Sequence, residues 1–65
     1  MIYSELKKLI YIRGYKLEAI AKGLGISSKS LRNKIKGVSD FWWPEVCILQ
    51  KEFFPDISKD EIMKR

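Results

Sequence analysis

The feature that most restricts the fold of this chain is a glycine set between two apolar runs of helical spacing. Leu17, Ile20, Ala21 and Leu24 fall at i, i+3, i+4 and i+7, one stripe of an amphipathic helix, and the stripe stops at Gly25. Glycine enters the left-handed conformation without a Cβ clash, so it ends a helix and redirects the chain within one residue. Ser27 then stands as the N-cap of a new helix, with Ile26 and Leu31 at the N′ and N4 positions of a hydrophobic staple. Leu31 and Ile35, four residues apart, face the core of that helix, and Gly37 closes it. Small Ala21 lets the two helices approach, while Ile20, Leu24, Ile26 and Leu31 fill the wedge between them. Two short helices joined by a turn of about three residues make a helix-turn-helix, here over residues 16–36.

The flanking segments predict three further helices. Ile2, Leu6, Leu9 and Ile10 form an apolar stripe that ends before Gly14. Pro44 fits only a first helical turn, so a fourth helix is predicted to start within Phe41-Trp42-Trp43-Pro44 and to run through Val46, Leu49 and Phe53. Phe54-Pro55 breaks it, since the residue before proline is pushed out of the α region. Ser58 and Glu61 are spaced as a capping box, with Ile57 and Ile62 as a staple, for a short helix over about Lys59 to Lys64. The expectation is an all-α five-helix bundle, a single domain over residues 1–65. Its predicted core is Leu6, Ile10, Ile20, Ala21, Leu24, Ile26, Leu31, Ile35, Val46 and Leu49. A chain this short buries only about 60% of its unfolded surface, which leaves room for one core.

Charge is informative by position. The net charge is +5, and the whole of it resides between Lys16 and Lys36, where Lys16, Lys22, Lys29, Arg32, Lys34 and Lys36 face Glu18 alone. From Asp40 to Ile62 the balance is acidic. A basic field confined to one segment is what a polyanion requires, although a solvated helix face carries the same charges. The chain has no histidine and a single cysteine, Cys47, so neither an internal disulfide nor a zinc-ligand set is expected, and Cys47 is predicted to be core. The same inventory offers no acid, base or nucleophile constellation, and neither an enzyme nor a cofactor is expected. No apolar run is long enough for a membrane span, and the residues after Met1 lack a signal-peptide layout, so a cytoplasmic location is expected.

The run Ile20-Ala21-Lys22-Gly23-Leu24-Gly25-Ile26-Ser27-Ser28-Lys29-Ser30-Leu31, with Gly37 following, closely resembles the helix-turn-helix of the Cro and lambda-type phage repressor superfamily, also called xenobiotic-response-element-type regulators. The resemblance extends over nearly the whole chain, and the stretch Ser28 to Gly37 with Ser39-Asp40-Phe41 is similar to small phage and prophage repressors of Gram-positive bacteria. It implies a lambda repressor-like bundle in which the second and third helices form the motif. The chain departs from the family pattern at three places. Lys16 and Leu17 stand where Ser or Thr and then Gln are common, Lys34 takes a position usually apolar, and Trp42 replaces the Thr of a capping box that retains Glu45.

On a helical wheel centred on Leu31 and Ile35, Lys29, Arg32, Asn33 and Lys36 point outward with Ser28 at the flank. Arg and Lys can donate to guanine, Asn can pair bidentately with adenine, and Ser can contact either. The resemblance implies Ser28, Lys29, Arg32 and Asn33 as base readers and Lys16, Ser27, Lys34 and Lys36 as phosphate contacts on double-stranded DNA. It also implies a homodimer on an operator, with half-sites about one helical turn apart, and no membrane or small-molecule partner. Comparison with the family places Trp43 in the core and Trp42 partly exposed. Phe53, Phe54 and Met63 are expected to close the bundle, with a dimer patch as the other use. A helix-turn-helix used for protein binding, through the acidic last third, is the competing expectation.

Overall fold

A computed structural model describes residues 2–65, and among them every regular element is helical. The elements are α1 Ser4–Ile12, α2 Leu17–Leu24, α3 Ser28–Lys36, α4 Trp43–Ile48 and α5 Lys59–Ile62, and α4 runs on as a π-helical turn, Leu49–Phe53. This is the all-α five-helix bundle expected.

The local stops work as the glycines imply. Gly25 sits at φ 74° and Gly37 at φ 88°, both left-handed. At the first, Ile26 N–H donates to Ala21 O (3.0 Å) and Gly25 N–H to Lys22 O (3.1 Å). At the second, Val38 N–H donates to Asn33 O (2.9 Å) and Gly37 N–H to Lys34 O (3.2 Å). Each pair is a Schellman closure that uses carbonyls the helix would otherwise leave orphaned. The new helix at α3 is capped by Ser27, whose Oγ accepts from Ser30 N–H at 3.1 Å, and Ser58 does the same for Glu61 N–H at 3.3 Å.

One continuous core joins α1, α2, α3, the π turn and α5: Leu6, Ile10, Ile20, Ala21, Leu24, Leu31, Ile35 and Leu49 are buried, as expected. Val46 is buried too, whereas Ile26 is only half-buried and packs on the core from outside. Tyr3 is buried as well, a position the expected core did not include, and Phe54 and Ile62, expected to close the bundle and to form a staple, are fully buried. Ile2, placed in the first helical stripe, precedes α1 and lies at the surface. Instead Tyr3 caps the helix, and its N–H donates to Ile35 O at 3.1 Å, tying the start of the described chain to the end of α3.

The π turn was not anticipated. Phe54 N–H donates to Leu49 O (3.2 Å), the i→i−5 pattern, and the helix then stops because Pro55 excludes Phe54 from the α region. Phe54 is fully buried, and Phe53 and Met63 pack against the core, so these side chains close the bundle. Tyr15 holds the turn, its hydroxyl donating to Phe53 O at 3.0 Å and its ring edge-on to both phenylalanines. This packing accounts for a glycine in the last turn of α2: a Cβ on Gly23 would lie 2.7 Å from the Phe53 ring.

Two aromatic and sulfur expectations are corrected. Trp43, expected in the core, is 65% exposed, because it is the first residue of α4 and the core volume beneath is taken by Val46, Leu49 and Phe54. Its ring carries the Lys59 ammonium at 5.7 Å from the centroid, an arrangement that leaves the indole wet. Cys47, also expected in the core, is a half-buried free thiol.

Candidate nucleic-acid interface

The helix-turn-helix presents α3 on the outside of the bundle. Its inner face is Leu31, Lys34 and Ile35, and the residues turned farthest from that face, at 3.6 residues per turn, are Lys29, Asn33 and Lys36. Lys29, Arg32 and Lys36 are exposed, and Ser28 and Asn33 are half-buried. Five of the side chains expected at a DNA surface therefore do lie along one helix, four of them (Lys29, Arg32, Asn33, Lys36) on or beside its outward side. Lys16, the N-cap of α2, is exposed as well.

Lys34 is the correction. Expected as a phosphate contact, it is drawn inward: its Nζ lies 3.1 Å from Glu45 Oε1 and donates to Asp40 O at 2.9 Å, and the side chain is only 11% exposed. The reason is its register, three residues after Leu31 and one before Ile35, which puts the stem on the buried face. This inward position is thus filled by an apolar stem whose charge is met by Glu45 of α4. Glu45 does double duty, since Oε1 also accepts from Trp42 N–H at 2.8 Å. This is the surviving half of the capping box; an indole N–H only donates, so Trp42 cannot supply the reciprocal bond. The Phe41 ring lies beneath the ammonium at 6.0 Å and packs edge-on to Tyr3.

Ser27 is exposed, but its hydroxyl is already committed: Oγ accepts from Ser30 N–H and its proton is directed to Ser30 Oγ at 3.1 Å. A phosphate contact by Ser27 would have to displace the second bond, whereas the first holds the start of α3.

Beside the outward face runs a shallow groove of about 180 Å³ lined by Lys7, Leu17, Arg32, Ile35 and Lys36. It brings in Lys7 of α1, which sequence reasoning did not place in the site. No local signal marks Lys7, because it reaches α3 only through the packing of α1 on the motif. Val38, Trp42 and Trp43, between the end of α3 and the start of α4, are each exposed as well.

Among the described residues no group of His, Cys, Asp and Glu is arranged to hold a metal ion, and no helix is long and apolar enough to cross a membrane. No family model, curated protein or solved structure matches the chain.

Proposed function

We propose that this chain is a sequence-specific double-stranded DNA-binding regulator of transcription, a phage or prophage repressor of the Cro type that occupies an operator as a homodimer. The observation that carries the reading is the division of labour on α3. Its inner face is spent on packing and on the Lys34–Glu45 pair, while Lys29, Arg32 and Lys36 are exposed cations with no ion-pair partner among the described residues. A helix capped at Ser27 and projecting such a face is suited to the major groove. One helix of this length reads only a few base pairs, which favours a two-fold symmetric dimer.

Selection of bound sequences from random duplex DNA tests the reading. Enrichment of a palindrome with half-sites about one helical turn apart is the expected result. On the selected site, Lys29→Ala and Asn33→Ala each cost about 1–3 kcal/mol and cost little on scrambled duplex, because base contacts carry the discrimination. Lys36→Ala weakens both alike, as a phosphate contact does. Equal losses on the two DNAs for Lys29→Ala and Asn33→Ala would remove base readout by this face. The exposed Val38, Trp42 and Trp43 favour a second reading, a protein-binding module, and the absence of salt-dependent duplex binding would select it.

A further inference from the structure

We infer that Lys7, Arg32 and Lys36 form a clamp for one phosphodiester unit of the DNA backbone, so that α1 is part of the DNA interface and Arg32 grips phosphate instead of reading guanine. The inference rests on the DNA-binding reading and adds to it a residue outside the basic segment and a changed role for another.

The groove carries the argument. Its floor is Leu17 and Ile35 and its walls are predominantly apolar, while its rim is three cations contributed by two helices, Lys7 from α1 and Arg32 and Lys36 from α3. All three are exposed, and none has an ion-pair partner among the described residues. Three cationic side chains border one groove with no carboxylate among its lining residues, an arrangement whose mutual repulsion is relieved by a bound anion. The volume, about 180 Å³, is below the roughly 300–1,000 Å³ of sites that enclose a drug-sized ligand, and the groove is open. A sugar–phosphate unit matches both halves of the surface: the C–H face of a deoxyribose on the apolar floor, the phosphate oxygens on the rim.

Its position fits as well. Arg32, Ile35 and Lys36 are related by i, i+3 and i+4, so they share one flank of α3. Lys36 borders Lys29 and Asn33 on the side turned away from Leu31, whereas Arg32 stands between that side and Ile35, at the edge of the outward face. A helix seated in the major groove meets bases at its tip-facing side chains and backbone at its flanks. Arg32 is therefore on the backbone side, and Lys7 is brought to the same strand by the packing of α1.

The test is a salt titration of binding to a short random-sequence duplex and to a selected operator, with wild type, Lys7→Ala, Arg32→Ala and, as control, Lys8→Ala, an exposed neighbour that does not line the groove. Circular dichroism melts check that each variant is folded. Each true phosphate contact contributes about 0.9 to the log–log salt slope, so over a fourfold rise in salt Lys7→Ala loses about 3.5-fold less affinity than wild type. Arg32→Ala behaves likewise and weakens both DNAs by the same factor, and Lys8→Ala keeps the wild-type slope. A wild-type slope for Lys7→Ala, or a loss for Arg32→Ala confined to the operator, overturns the clamp while leaving DNA binding intact. A wild-type protein with no salt-dependent affinity for either duplex overturns the DNA reading itself, and the clamp with it.

Discussion

Replacing Glu45 by Ala removes one carboxylate that serves two partners, the Lys34 ammonium at 3.1 Å and the Trp42 N–H at 2.8 Å. Breaking a fully buried ion pair from one side costs about 3–5 kcal/mol, because the remaining charge is stranded. Here the side chains are 11% and 14% exposed, and Lys34 keeps its bond to Asp40 O, which places the charge penalty near about 2–3 kcal/mol. Loss of the acceptor at the start of α4 adds about 0.5–1 kcal/mol, the lower range for an exposed cap. The expected total of about 3 kcal/mol corresponds to a melting temperature lower by about 12–24 °C in a domain of this size. Lys34→Met, which keeps the buried stem and leaves Glu45 able to cap α4, costs less, about 1–2 kcal/mol. The double variant loses less than the two single losses combined, by a coupling of about 1–3 kcal/mol. Urea and thermal melts followed by circular dichroism measure all three. A Glu45→Ala protein within about 0.5 kcal/mol of wild type, or strictly additive losses, would refute the account of Lys34 as a structural cation.

Leu31→Ala, at a fully buried position between α2 and α3, should destabilise by about 2–5 kcal/mol, and an unchanged denaturant midpoint would show that the wedge is not packed as described. Both indoles should show the emission of solvent-exposed tryptophan and be readily quenched by acrylamide; a shielded population would return Trp43 to the core. Arg13 donates to Asp56 at 2.6 Å, and that hydrogen bond holds the Asp56 carboxyl below its ordinary pKa. Its contribution is present at neutral pH and is lost as pH falls below the ordinary aspartate range through the depressed value, so Asp56→Asn should lessen the acid-side fall in stability. The pair is exposed, and the effect should be small and shrink with salt; an undiminished acid limb would discount the bridge.

What the sequence by itself determined is what depends on neighbours within one or two helical turns. Gly25 and Gly37 stop helices through bonds spanning five residues, Ser27 and Ser58 cap through bonds spanning three, and the stripe through Leu17, Ile20, Ala21 and Leu24 defines a buried face. Those facts suffice for the helix-turn-helix, for the bounds of α3 and for the outward placement of Lys29, Arg32, Asn33 and Lys36. Tertiary structure decided the rest, where the answer lies on another helix. Lys34 reads as a surface charge until Glu45 and the Asp40 carbonyl are seen to meet it, and Lys7 reads as an ordinary solvated lysine until α1 packs beside α3. Phe54 and Trp43 are both large aromatics next to prolines, yet one is fully buried and the other exposed, because the π turn after α4 carries Phe54 inward and leaves Trp43 at the helix start with no core volume to fill. Periodicity and caps act through local hydrogen bonds that any copy of the segment would make, whereas a buried charge, a cationic groove or the choice between two aromatics depends on which surfaces come together when the helices close on one core.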